Sequence, residues 1–300
     1  DTVTGSAHAA SMGGSQIWLK EGEQMRAEDL IKAVCVVSGN DAAVALGEHL
    51  AGSEEAFVER MNARAKELGM NDTHFLNCTG LPAEGHVTSA YDIALMSREL
   101  ILHHPDIRRF TTIWMDSLRD GESLLVNTNK LVRFYPGATG LKTGSTSSAK
   151  YCISATAEKD GMELIAVVLG GSTSDKRFAD AKALLNYGFA AYTLLPVVPE
   201  SPLPAVPVTL GVRRQVQAVL PQGSVLLLEK NRANALTQSL TLSETLEAPV
   251  EQGDTLGSLD LFTADGTLLS SLPLLAGESV ARLTWRQLFC RCASFALCIR

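Results

Sequence analysis

Five of the eleven prolines, Pro196, Pro199, Pro202, Pro204 and Pro207, fall within twelve residues. Proline fixes φ and has no backbone N–H, so neither a helix nor a central strand runs through this stretch. It reads as a linker or an edge-strand lead-in, and the composition shifts with it at Leu194. At roughly 100–200 residues per domain, 300 residues accommodate the two domains this break implies. The expected division is one domain over 1–193, a small all-β domain over 197–280 and a tail over 281–300.

The first region mixes two periods. Leu30, Ile31, Val34 and Val37 recur at helical spacing within Ala27–Val37. A second helix follows Asn40–Asp41. A third opens at Ser53 with Glu54 and Glu55 in its first turn, where acids suit the helix dipole. It points Phe57, Met61 and Leu68 inward and stops at Gly69. A fourth, near Thr88–Leu102, is expected to bury Ile93, Met96 and Leu100. Two strand-like runs, Tyr151–Ala157 and Met162–Leu169, flank a turn with Asp160-Gly161, a hairpin signal. A last helix, Ser174–Tyr192, places Phe178, Ala181, Leu185 and Phe189 on one face. Helices with an antiparallel sheet make this region α+β. The start of the chain, residues 1–19, reads as an extended segment with Gly breaks and no helix cap.

Beyond the prolines come short β-patterned runs: Val206–Leu210, Gln215–Leu220, Ser224–Leu228, Leu256–Phe262 and Thr267–Leu272, the last two separated by Asp265-Gly266. The final twenty residues carry four Arg and no Asp or Glu. Leu283, Leu288, Cys292, Phe295 and Ile299 fall on one helical face there, with Trp285 nearby. This is the pattern of an amphipathic helix on an anionic membrane surface.

Composition excludes several classes. With 46% apolar and 20% charged residues the chain is ordinary globular protein, not disordered. A net charge of −7 argues against nucleic acid as a partner. The longest apolar run, Leu164–Leu169, falls far short of the ~20 residues of a membrane-spanning helix. Six cysteines in 300 residues are too few for a disulfide scaffold, and neither C-x-x-C nor H-E-x-x-H occurs, so no metal site is indicated. Cys35 and Cys152 lie in apolar runs and read as packed thiols. No role is assigned to Cys290, Cys292 or Cys298.

Two short motifs carry chemistry. Ser38-Gly39-Asn40 lies between two helices, and Lys142-Thr143-Gly144 lies just before the Tyr151–Ala157 strand. Either alone is an ordinary turn or strand segment. Their order and spacing match the S-x-N and K-T-G elements of penicillin-binding proteins and class A β-lactamases. The block from Ser38 to Leu81, the stretch GLKTGSTSSAKYCISATA and the Gly170-Gly171 pair before the last helix resemble the low-molecular-mass D-alanyl-D-alanine carboxypeptidases, a family of serine peptidases. The resemblance covers essentially the whole chain.

The resemblance implies a β-lactamase/transpeptidase-like domain, a β-rich domain and a C-terminal amphipathic helix. It implies removal of the terminal D-alanine of peptidoglycan stem peptides through an acyl-enzyme, inhibition by β-lactams, and no cofactor. It also implies work at the extracytoplasmic face of a bacterial cytoplasmic membrane. By position, Ser38 corresponds to the serine that relays a proton to the leaving amine. Asn40 would hold the peptide amide on the acyl side. Lys142 would place positive charge beside the oxyanion and the substrate carboxylate, and Thr143 would donate its hydroxyl to that carboxylate. Gly144 would keep the strand clear for substrate, and the Ser145 N–H would form half of an oxyanion hole. Arg177 matches the arginine kept for the terminal carboxylate; a helix-start salt bridge is the other reading of that residue.

The chain departs from the family in one respect. The nucleophile of the family lies in an S-x-x-K tetrad ahead of S-x-N, and none precedes Ser38 here. The tetrad Ser147-Ser148-Ala149-Lys150 follows K-T-G by two residues and reads as a coincidence. The expectation is a chain that begins inside the peptidase domain and is inactive alone. A non-catalytic stem-peptide-binding protein is the alternative if it is complete. A class A β-lactamase is disfavoured: no Glu-x-x-x-Asn lies between the two motifs, and residues 197–300 would go unexplained.

Overall fold

The computed structural model describes residues 1–232 and 236–297. The chain divides into two compact units, at residues 1–189 and from 190 onward.

The first unit opens with β1 (Thr2–Thr4), α1 (Ala7–Ala10) and β2 (Gln24–Arg26), with β1 and β2 paired antiparallel. The short helix corrects the reading of this segment as extended and uncapped: the Ser6 hydroxyl caps it by accepting from Ala9 N. One turn of helix is too brief to leave a periodic signal. Three helices follow, α2 (Ala27–Val37), α3 (Asn40–Ala51) and α4 (Glu54–Glu67). Leu30, Ala33 and Val36 of α2 and Ala42, Val44 and Ala45 of α3 are buried together with Val3, Ile17 and Leu19. In α4, the Ser53 hydroxyl accepts from Ala56 N, as an N-cap should.

Next come α5 (Ala90–His103), α6 (Arg108–Thr111), the hairpin β3 (Met115–Leu118) and β4 (Ser123–Val126), and α7 (Leu131–Phe134). In α5 the buried residues are Asp92, Ser97 and Ile101, and Met96 is exposed. The expected inward position of Met96 is thus wrong. The helix turns a polar position inward because the Asp92 carboxylate accepts from Asp72 N and Thr73 Oγ1, and Ser97 Oγ lies 2.7 Å from Ser154 Oγ. Local polar partners outweigh the apolar stripe here.

A three-stranded antiparallel sheet follows, β5 (Ala138–Thr146), β6 (Lys150–Lys159) and β7 (Met162–Gly171), in the order β5-β6-β7. The Asp160-Gly161 turn has positive φ at both residues, 52° and 77°, as a two-residue hairpin with the sheet's twist requires. Helix α8 (Ser174–Ala191) lays Phe178, Ala181 and Leu185 against Ile153, Ala155, Ala157 and Ala166. The KTG strand β5 is an outer strand of this sheet.

The second unit contains β8 (Tyr192–Pro196), β9 (Ala205–Thr209), β10 (Gln215–Val219), β11 (Val225–Glu229), β12 (Thr237–Leu242), β13 (Leu246–Glu247), β14 (Thr255–Phe262), β15 (Leu268–Ala276) and α9 (Trp285–Leu297). Six strands form one sheet in the order β12-β14-β15-β10-β9-β13, and β8 pairs with β11 in a separate ribbon. Val206, Val216, Leu256 and Val280 are its innermost side chains. Thr284 and Gln287 form a capping box at the start of α9: Thr284 N donates to Gln287 Oε1, and Gln287 N to Thr284 Oγ1. Arg291 of α9 donates to the Gly211 carbonyl at 3.1 Å. Leu288 is half-buried, whereas Trp285, Phe289 and Cys292 are exposed. Of the tail residues read from sequence, Cys298 and Ile299 lie outside the described residues. Among the described residues no helix is long and apolar enough to cross a membrane.

Candidate active site

Ser38 closes α2 in the left-handed conformation (φ 63°, ψ 39°), and Gly39 opens α3. A side chain in that conformation costs on the order of 1 kcal/mol, which surrounding contacts must over-determine. Here they do. Gly39 N donates to Ala33 O, and Asn40 N donates to Ser15 O at 2.8 Å. The Asp41 carboxylate, 1% exposed, accepts from Ile17 N, Leu19 N and Ala42 N at 2.9–3.1 Å. One buried acid thus fastens the Ile17–Leu19 segment against the start of α3.

The Asn40 side chain is held the same way, its Nδ2 donating to Gly13 O at 2.7 Å. That approach is possible because Gly14 has no side chain: at its φ of 82° a Cβ would stand 2.8 Å from Asn40 Nδ2.

From the other side comes β5. Lys142 Nζ donates to Ser38 Oγ at 2.7 Å and to Thr143 O at 2.6 Å. The two motifs, 104 residues apart in sequence, therefore meet at their chemically active atoms. Burial pushes the Lys142 ammonium down to about 8, the nearby Arg177 charge adding to the effect and the Cys35 thiol opposing it. Cys35 itself is buried, and burial raises its thiol to about 11. It is a packed neutral thiol at neutral pH, which matches its reading from sequence.

Next along β5, Thr143 is 6% exposed and its Oγ1 lies 2.7 Å from Thr128 Oγ1. A Cβ at Gly144 would meet nothing within 4 Å, so the space beside the strand is open there. Ser145 pairs with Tyr151 of β6 and is exposed.

Arg177, one turn into α8, is 6% exposed. It makes no helix-start salt bridge among the described residues. Its Nη1 donates to Gly144 O at 3.1 Å and Cys152 O at 3.0 Å, tying the KTG strand to β6. The guanidinium lies over the rings of Phe178 (4.6 Å) and Tyr151 (5.6 Å). Burial lowers its affinity for the proton, and its Nε is buried with no hydrogen-bond partner among the described residues. A buried positive group with an unused donor is suited to an anion.

Ser147, Ser148 and Ala149 form the exposed turn between β5 and β6, and Lys150 is the exposed first residue of β6. There it is Ser148 that lies 3.2 Å from Thr146 Oγ1, and no hydrogen bond among the described residues joins Ser147 to Lys150. This turn does not build a nucleophile–base pair.

Sequence reasoning missed the segment Asn127-Thr128-Asn129. Asn127 and Asn129 are 4% and 1% exposed. Their side chains donate to Ile113 O and Gly140 O, and Thr128 N donates to Val36 O. Two asparagines around a threonine between β4 and α7 read as an ordinary loop, and nothing in the sequence marked them out.

Residues 1–173 match the family model of D-alanyl-D-alanine carboxypeptidases, and residues 197–282 match that of the C-terminal domain of penicillin-binding protein 5. The chain is 42% identical to D-alanyl-D-alanine carboxypeptidase DacF of Bacillus subtilis, over 94% of this chain and 73% of that protein. It is 33% identical to DacC of Escherichia coli, over 92% of this chain and 69% of the relative. Among solved structures, penicillin-binding protein 5 of Haemophilus influenzae superposes with a TM-score of 0.78 at 28% identity, covering 94% of this chain and 83% of that one. Penicillin-binding protein D2 of Listeria monocytogenes, in its ampicillin-bound form, gives 0.57 at 33% identity over 63% of this chain and 76% of its own. With motifs that meet in space and matches that run through both units, the chain belongs to the D-alanyl-D-alanine carboxypeptidase family of serine peptidases.

Proposed function

We propose that this site binds the D-Ala-D-Ala end of a peptidoglycan stem peptide and serves the leaving-group and carboxylate sides of its hydrolysis. The observation that carries the proposal is the 2.7 Å bond from Lys142 Nζ to Ser38 Oγ. The donated hydrogen bond leaves the Ser38 hydroxyl proton free to pass to the departing D-alanine amine. The ammonium stands where negative charge develops on the scissile carbonyl. The peptide lies along the outer side of β5 as an added strand, over Gly144, with Asn40 on its acyl side. The Ser145 N–H supplies one oxyanion donor, Thr143 meets the terminal carboxylate, and Arg177 adds positive charge behind it. β-Lactams, which carry a carboxylate beside a strained amide, fit the same groups. Neither Ser38 nor Ser147 is assigned the attack, since attack needs a base within hydrogen-bond reach.

The other segments have supporting parts. Residues 1–193 form the peptidase domain in this proposal and 197–280 the β-rich domain. The tail, 281–300, rests on a membrane surface at the extracytoplasmic face of a bacterial cytoplasmic membrane. Its exposed Trp285 and Phe289, with Arg282 and Arg286, suit an interfacial helix. A cell-wall protein that binds stem peptides without cleaving them is the second reading.

Fluorescent penicillin tests the first reading against the second. Incubated with the full-length gene product, it is expected to give one covalent adduct per chain. Ser38→Ala is expected to slow hydrolysis of a D-Ala-D-Ala peptide by roughly 10²–10⁴. A protein that binds the peptide and forms no adduct is the non-catalytic one. An adduct on Ser38 or Ser147 contradicts the roles proposed for these two serines.

A further inference from the structure

The carboxylate side of the site contains a second hydroxyl, on Thr128. Its backbone N–H donates to Val36 O at 3.0 Å, two residues before Ser38. The neighbours on both sides are locked. Asn127 Nδ2 donates to Ile113 O at 2.7 Å, and Asn127 Oδ1 accepts from Asn129 N at 2.8 Å. Asn129 Nδ2 donates to Gly140 O at 2.9 Å, at the head of the KTG strand. Thr128 is therefore fixed to the end of α2 and to β5 together, the two elements that bring Ser38 and Lys142 into contact. The Thr128 residue is exposed, and its Oγ1 lies 2.7 Å from that of the buried Thr143.

Two hydroxyls at that distance share one hydrogen. A threonine hydroxyl has only one to give. If Thr143 donates to Thr128, it has none left for a ligand. If Thr128 donates to Thr143, the Thr143 hydrogen is free, and its donor strength rises through the chain of bonds. We propose that Thr128 is a positioning residue for carboxylate recognition: it donates to Thr143 Oγ1 and thereby directs the Thr143 hydrogen at the carboxylate of the ligand. The inference rests on the reading of Lys142-Thr143-Gly144 as a carboxylate-binding strand.

The test compares acylation of the full-length gene product by a penicillin with acylation by its methyl ester, which lacks the negative charge. The readout is the ratio of the two second-order rate constants. Thr128→Val keeps the shape and removes the hydroxyl. It is expected to lower the acid-to-ester ratio roughly 3- to 10-fold, the size of one neutral hydrogen bond. Thr128→Ser is expected to keep the ratio within about twofold of wild type, because the hydroxyl is restored. The double variant Thr128→Val/Thr143→Val is expected to be no worse than Thr143→Val, since Thr128 acts only through Thr143. An unchanged ratio in Thr128→Val, an equal loss with acid and ester, or additive losses in the double variant would overturn the assignment. A wild-type protein acylated by both forms at the same rate refutes the carboxylate-binding strand itself, and this inference with it.

Discussion

Lys142 is the residue on which the site turns. Two oxygens, one hydroxyl and one backbone, fix its Nζ, and burial holds its ammonium down to about 8. For a lysine depressed in this way the charge is present below that pH and lost above it. A rate that depends on the ammonium should therefore be full below about pH 8 and fall as pH rises through it. Replacing Lys142 by Arg, which stays charged throughout, should remove that falling limb from the pH profile of penicillin acylation whatever it does to the maximal rate. A limb unchanged in Lys142→Arg would mean that another group titrates there. The motif residues were legible because Ser-Gly-Asn and Lys-Thr-Gly are short, ordered and adjacent to recognisable elements. Thr128 was not, because its significance lies in a contact with Thr143 across a loop, and Arg177 was legible in position but not in its bonds. Its hydrogen bonds go to carbonyls of β5 and β6, and carbonyls leave no trace in side-chain patterns.

At the scale of elements, the Asp41 carboxylate fastens the Ile17–Leu19 segment to the start of α3. Asp41→Ala would leave the N–H groups of Ile17, Leu19 and Ala42 without their acceptor inside the core. At about 1–3 kcal/mol for each unsatisfied buried group, the loss should be about 3 kcal/mol or more. Urea unfolding of the purified protein measures it, and a change below about 1 kcal/mol would show that water replaces the carboxylate. Helices α2, α4 and α8 and the β6–β7 hairpin were legible because their caps, turn glycines and apolar periods agree. The strands β1 to β4 were not, being three or four residues long with a single buried position each. β12 was missed because its burial hardly alternates. Helix α9 makes a separate prediction. Deleting residues 281–300 should release the full-length product from membranes without abolishing peptidase activity, to be read by membrane fractionation and a peptidase assay. Membrane association that persists after the deletion would contradict the surface-binding tail.

Over the whole molecule, two kinds of information combine. Long-range pairing brings together residues that the sequence separates by 104 positions, and only the folded chain shows that Lys142 Nζ ends on Ser38 Oγ. The fold class was legible because helices and antiparallel strands alternate before the prolines and strands follow after them. The division of the β region into a six-stranded sheet and the β8–β11 ribbon was not, since pairing partners leave no period in a single strand. The central claim is that the Lys142–Ser38 pair belongs to a D-alanyl-D-alanine carboxypeptidase site. The most direct measurement is the rate of D-alanine release from a peptide ending in D-Ala-D-Ala, for the full-length gene product and for its Lys142→Ala variant at equal folded concentration. Loss of a preorganised charge beside the oxyanion predicts a fall in kcat/KM of on the order of 10²-fold or more. Release at the wild-type rate in Lys142→Ala would contradict the account.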